Sequence, residues 1–277
     1  MWNQQIRKNV NGLFAIGVLA AFAFACTPQE ELVDSHIAIF GSGLQGLSLE
    51  NTELRVPDAD GNTVVIARAD VNIRELRLGL PEDSEGCDVL AGQLDAAVDC
   101  SDHELRIVGP FPVDLLARGT QPSLIDVSLP AGTYKGIDVR IDESDELFDV
   151  SSSSSQDVQT SMSFVVTGDV KIAGTLIPFG IVLGFEEELH VEKPEGLAIN
   201  DANPNLAIDL NVYSWMAGVP LSACIKSGQL PKDEKGRYWL DNSFSGSGPC
   251  ADIEHTLRSN IVHSGDLRLD EMAVVSK

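Results

Sequence analysis

Positive charge is what this sequence has least of. Nineteen lysines and arginines stand against 42 aspartates and glutamates, and two of the 19, Arg7 and Lys8, fall within the first ten residues. Beyond that start the balance is 17 against 42, or −25. Such a chain repels phosphate backbones and anionic lipid headgroups, which excludes nucleic acid as a partner. The surplus of acids reads first as solubility and second as an attraction for cations. Long apolar runs are missing as well. Leu13 to Ala25 is a run of thirteen, and a membrane span needs about 20.

Signatures of chemistry are equally scarce. The five histidines, His36, His103, His190, His255 and His263, form no pair at zinc spacing, and no Cys-x-x-Cys occurs. There is no Gly-x-Ser-x-Gly elbow and no P-loop. Serine and aspartate are abundant, but nothing in their order supports a triad. The expectation is therefore no enzyme: no catalytic residue, no cofactor and no metal. Helical periodicity is almost absent and a βαβ repeat is missing, which argues against a parallel α/β fold.

What is present begins with a leader. Arg7 and Lys8 give a positive start, the thirteen-residue run is the length of a signal core, and Ala23-Phe24-Ala25-Cys26 resembles a lipobox. The reading is a lipoprotein signal over 1–25, lipidation at Cys26 and a polar tether over 26–35, with ordinary signal cleavage as the alternative. Thr27 in place of Asp after the cysteine points to the outer membrane, by the sorting habit of many Gram-negative lipoproteins.

From His36 onward the chain reads as β-structure. Gly41-Ser42-Gly43-Leu44-Gln45-Gly46 matches a dinucleotide fingerprint, but Leu47 and Leu49 then alternate with Ser48 and Glu50 and no helix opens, so it reads as a loop between strands. Pro57 to Asn62 reads as a hairpin turn. Asp58, Asp60 and Asn62 mimic the start of a calcium loop that lacks its closing Glu. The apolar phase of Val71 and Ile73 slips before Leu76 and Leu78, which predicts a β-bulge at Arg74-Glu75. Pro81 to His103 reads as a long surface loop.

The stretch that organises the rest runs from Val113 to Asp142. Ile125, Val127 and Leu129 alternate with Asp126 and Ser128, and Ile137, Val139 and Ile141 with Asp138, Arg140 and Asp142. That period of two predicts strands with one buried face, here joined by a tight Pro130-Ala131-Gly132 turn. Asp114-Leu115-Leu116, then Leu129 to Tyr134, then the strand Ile137 to Ile141 resemble the pattern of a bacterial family of secreted lipoproteins with a β-sandwich domain of unknown function. The strand Val71 to Leu78 fits the same pattern, and the likeness spans about residues 36–215. It implies a fold and a location and carries no catalytic residues.

Asp142 to Asp157 is acidic and serine-rich and reads as a loop or excursion. Met162 to Leu189 returns to strands, and Leu206 to Val212 alternates cleanly. Asn200 to Asn205 between them reads as a turn. Glu186-Glu187-Glu188 reads as a solvated strand end. Beyond Trp215, Ala251 to His263 places Ile253, Leu257 and Ile261 at helical spacing, and Leu267 with Leu269 suggests a last strand. Trp215, Tyr238 and Trp239 read as core aromatics, with a sugar-stacking platform as the alternative. With Cys26 set aside, four cysteines allow three pairings, and the local one, Cys87–Cys100 and Cys224–Cys250, is expected because each pair lies within one loop-rich stretch.

The sum is a mainly antiparallel β-sandwich, Ig-like or transthyretin-like, over 36–215, followed by a disulfide-bearing extension over 216–277 with one short helix. The expected role is a lipid-anchored module of the cell envelope that binds or supports. A glycan, calcium or another envelope protein are the partner classes left open. The alternative is a glycan-binding protein or hydrolase without a motif.

Overall fold

The computed structural model describes residues 31–42, 53–116, 123–143 and 162–269. The leader, Cys26, Gly43 and Gly46 of the glycine run, and the serine run lie outside these residues.

The strands in chain order are β1 Leu32–Ser42, β2 Leu54–Pro57, β3 Thr63–Gly79, β4 Val98–Ser101, β5 Glu104–Asp114, β6 Ser123–Pro130, β7 Gly132–Ile141, β8 Phe164–Ile172, β9 Thr175–Leu183, β10 Glu187–Ile199, β11 Leu206–Asn211, β12 Tyr238–Asp241 and β13 Gly265–Leu269. Four short helices join them: α1 Cys87–Leu90, α2 Val212–Trp215, α3 Leu221–Lys226 and α4 Ile253–Val262. The fold is a mainly β sandwich. A four-stranded sheet in the order β13-β11-β1-β6 stands against a nine-stranded one built on β3. Most pairs are antiparallel, but β1 lies parallel to β11 and β9 parallel to β12.

The long strand β3 is the spine, roughly 55 Å at 3.3 Å per residue. On one side its first half pairs with β8 and its second half with β7, so β7 and β8 run end to end. On the other side β2 and β5 do the same. β9 and β10 continue this arrangement one lane further out. The register slips between Ile73 and Glu75 against both β5 and β7, which is the bulge expected from the phase change.

Side chains stitch the seam where the paired lanes meet. Ser163 Oγ donates to the Phe185 carbonyl at 2.6 Å and accepts from the Phe185 N–H at 2.9 Å. The Asn242 amide bonds both main-chain groups of Gly184, at 2.6 and 2.7 Å. Asn72 Nδ2 donates to the Asp142 carbonyl at 2.8 Å. Ladder hydrogen bonds that the strand break removes are thus replaced by amides and a hydroxyl.

The Pro130-Ala131-Gly132 connection is not a hairpin. β6 belongs to the small sheet and β7 to the large one. Alternation is the same in a hairpin and in an arch that crosses between sheets, and only the partners differ. Here Ile125, Val127 and Leu129 enter the core from one sheet and Ile137, Val139 and Ile141 from the other. Gly132 lets the arch close, since a Cβ there would meet Pro81 at 2.4 Å. The buried Tyr134 hydroxyl spans it, donating to the Pro130 carbonyl at 2.8 Å.

The loop expected over 81–103 contains α1 and β4. Leu90 is fully buried, and β4 pairs with β5. β11 is buried on both faces rather than one, with Ala207 and Asp209 sequestered and Asp209 held 3.5 Å from Arg268. After residue 215 the chain adds an edge strand to each sheet, β12 on β9 and β13 on β11. The expected helix is α4, which buries Ile253, Leu257 and Ile261, and α3 is a second one in the same segment.

Candidate functional site

The most organised polar feature of the described residues is a charge lattice on the outward face of the large sheet. Its origin is simple. Residues two apart on a strand share a face, and here they alternate in sign: Glu75 and Arg77, Asp138 and Arg140, and the triplet Glu188, His190 and Glu192. Register then sets opposite charges side by side, except where Arg77 lies opposite Arg106 and both turn to Glu75. One row reads Glu188, Arg140, Glu75, and the next His190, Asp138, Arg77, Arg106, Asp99.

The contacts follow the register. Arg77 is ion-paired with Glu75, with Glu188 at 3.2 Å and with Glu104 at 3.8 Å. Arg106 reaches Glu75 at 3.3 Å, and Arg140 pairs with Glu186 and lies 3.5 Å from Asp142. Glu75 is 8% exposed, so it is the anchor of the lattice. Its hydrogen bond raises the Arg77 guanidinium above its ordinary value. His190 places Nδ1 on Asp138 and Nε2 3.0 Å from Glu192. Two carboxylates on the two ring nitrogens favour the imidazolium, and the histidine is raised, first by Asp138 and then by Glu192. The three consecutive glutamates lie at the start of β10, with Glu186 and Glu188 exposed as a solvated strand end, and each has a cationic partner. Glu186 pairs with Arg140, Glu187 with Arg258 at 2.7 Å, and Glu188 with Arg77.

The other sequence candidates are scattered. The Asp58-Ala59-Asp60-Gly61-Asn62 turn ties a hairpin to a helix. Asp58 Oδ1 accepts from the N–H groups of Asp60 and Asn62 at 3.0 and 2.8 Å, and Oδ2 from that of Ser222 at 3.0 Å. Ser222 Oγ donates to Asp60 Oδ2 at 2.9 Å and accepts from Asn62 Nδ2 at 2.7 Å. These side chains thus cap the first turn of α3. In the Asn200 turn, Asn200 Oδ1 accepts from the N–H groups of Ala202 and Asn203.

The three aromatics do not form a platform. Trp215 is 1% exposed, packs 5.1 Å from Phe164 and donates Nε1–H to Ser264 Oγ at 3.0 Å. Trp239 and Tyr238 are neighbours on β12 and so face opposite ways. The Trp239 ring lies on Gly180, where a Cβ would approach it to 2.4 Å, under the Arg237 guanidinium. Tyr238 sits beneath Lys232 at 4.6 Å.

His255 and His263 border an open hollow of about 400 Å³ with Glu187, Arg258, Ser259 and Val262. His263 Nδ1–H donates to the Ser259 carbonyl at 2.7 Å, and His36 meets Asp126 at 2.6 Å. Among the described residues, no group of three or more His, Cys, Asp or Glu is placed to hold a metal ion. Nor is any helix among them long and apolar enough to cross a membrane. Both disulfides are formed with the expected pairing, at Cα separations of 5.2 Å for Cys87–Cys100 and 5.6 Å for Cys224–Cys250. Gly41 ends β1, and the rest of the glycine motif is outside the described residues.

The fold and the lattice define a two-sheet, disulfide-stapled β protein. Its sequence matches no family model and none of the curated proteins. Among solved structures it is similar to MbnP from Methylosinus trichosporium, at 9% identity and a TM-score of 0.36, over 67% of this chain and 77% of that one. A likeness at that level is too low to carry over a fold or a role.

Proposed function

We propose that this chain is a lipid-anchored module of a Gram-negative cell envelope, of the secreted lipoprotein kind its sequence resembles. It is held to the outer membrane through Cys26 and presents a rigid β-sandwich as a binding or supporting surface. The observation that carries this reading is the pair of disulfides, Cys87–Cys100 and Cys224–Cys250. Disulfides persist in oxidising compartments and are rare in the cytosol. With the leader and the lipobox-like Ala23-Phe24-Ala25-Cys26, they support export. One acyl chain binds a membrane marginally, and two or more, at ~0.8 kcal/mol per buried CH₂, hold it stably. An acidic domain on such an anchor stands away from an anionic surface. The charge lattice is the surface offered to a polar partner.

The test is Cys26→Ala in the native host, with membrane fractionation and labelling by a palmitate analogue. The parent takes label and sediments with membranes, while the variant takes none and is released. A variant as firmly bound as an unlabelled parent contradicts the anchor.

A further inference from the structure

We infer that the Cys87–Cys100 disulfide is a redox-sensitive latch over the free edge of the four-stranded sheet. Among the described residues β6 ends that sheet and has a strand, β1, on one side only. Its outward side is met by Asp95, in the loop between α1 and β4, and residues 86–101 form a flap around that loop. The Ser128 N–H donates to Asp95 Oδ2 on this flap at 2.9 Å. The flap is tied to β5 as well, where Val108 N–H donates to the Ala97 carbonyl at 3.2 Å. Backbone groups two residues apart on a strand point the same way, so those of Asp126 turn outward with those of Ser128. Asp95 therefore takes the Ser128 N–H that an added strand would pair with, and open edges are places that folds cover.

The two disulfides differ in access. Cys224 and Cys250 are both 0% exposed, whereas Cys87 and Cys100 are partly exposed. Asp88, Val89, Ala91, Gly92, Asp95 and Ala97 of the flap are exposed too, and Leu90 is its buried anchor. A thiolate arriving from solvent meets Cys87–Cys100 first. In the reaction, one thiolate of a dithiol reductant attacks a sulfur of the pair, the Cys–Cys bond breaks and a mixed disulfide forms. The second thiol of the reductant then displaces the bound cysteine. Two electrons pass to the protein, Cys87 and Cys100 each end with a proton, and the reductant leaves as its own disulfide. The flap loses its covalent staple, Asp95 its fixed position, and the β6 edge its cover. None of this depends on Cys26 being lipidated.

The experiment takes the intact protein through graded dithiothreitol under native conditions. Trapped thiols are mapped by alkylation, and amide exchange is followed over 123–130. Cys87 and Cys100 are expected to label first, with Cys224–Cys250 intact and the far-UV spectrum unchanged. Exchange at Ser128 and its neighbours then speeds up about tenfold or more, since a bond to a charged acceptor has been lost. A Cys87→Ser/Cys100→Ser variant shows the same fast exchange without reductant, and Asp95→Asn shows part of it with the disulfide intact. Unchanged exchange across β6 once Cys87–Cys100 is open overturns the latch. So does opening of that pair only together with Cys224–Cys250 as the protein unfolds. Should the double variant not fold, the reductant series alone decides between these results.

Discussion

Asp58 offers the sharpest perturbation of how the chain is held together. It is 5% exposed, and its two carboxylate oxygens accept three main-chain N–H groups, from Asp60, Asn62 and Ser222. Asp60 lies in an exposed turn, so after Asp58→Ala its N–H regains water at little cost, and the half-buried Asn62 does so in part. Ser222 is 0% exposed, and its N–H would be stranded at the start of α3. An orphaned buried donor costs about 1–3 kcal/mol, and the turn bonds add about 1 more, so Asp58→Ala should cost ~2–4 kcal/mol. Asp58→Asn keeps one accepting oxygen but sets an NH₂ against the Ser222 N–H, a loss of about 1.5–3 kcal/mol. Ser222→Ala removes only the Oγ contacts to Asp60 and Asn62, worth about 1 kcal/mol. Urea unfolding followed by tryptophan fluorescence measures all three, as shifts in midpoint at constant slope. An Asp58→Ala within about 0.5 kcal/mol of the parent, or one milder than Ser222→Ala, refutes the reasoning.

Three further outcomes follow from the geometry. His190 should titrate above the ordinary histidine value of about 6.5 by NMR, and less so in Glu192→Gln. Because its folded value is raised, its contribution is complete below the unfolded value and fades as pH rises through the folded one, so the parent and His190→Gln should converge in stability at alkaline pH. Trp215→Ala empties a site packed against Phe164 and should cost about 3–5 kcal/mol in the same urea assay, while a cost near 1 kcal/mol contradicts its place in the core. Gly132→Ala drives a Cβ into Pro81 at the arch and should cost about 1–3 kcal/mol, whereas a neutral result means that the arch gives way freely.

Local pattern and long-range partnership were legible to different degrees. Strands such as β7 and helix α4 show in the alternation of Ile137, Val139 and Ile141 and in the four-residue spacing of Ile253, Leu257 and Ile261, because burial of one face imposes a period. The bulge at Ile73–Glu75 shows as a slip of that period. The assignment of β6 and β7 to different sheets does not show, since a strand's own residues are the same in a hairpin and in an arch. Nor does the parallel pairing of Ile37 with Leu206, which joins residues far apart in sequence. The charge lattice lies between these cases. Alternating signs along β3, β7 and β10 were present in the sequence, but only register turns three alternations into matched rows. Glu186 and Glu188 are solvated at the start of β10, as their sequence suggests, but their partners Arg140 and Arg77, and Arg258 of Glu187, come from three other elements and do not show. The disulfides were legible because each closes a local loop.

Under the proposed function the β-sandwich is exported, anchored through Cys26 and stapled by two disulfides. The most direct test is mass spectrometry of the protein purified from host membranes, digested without reduction. The expected result is an N-terminal peptide that begins at Cys26 and carries acyl chains, together with cross-linked Cys87–Cys100 and Cys224–Cys250 peptides. An unmodified Cys26 with a different N-terminus, free thiols at the other four cysteines, or a Cys87–Cys224 peptide contradicts it.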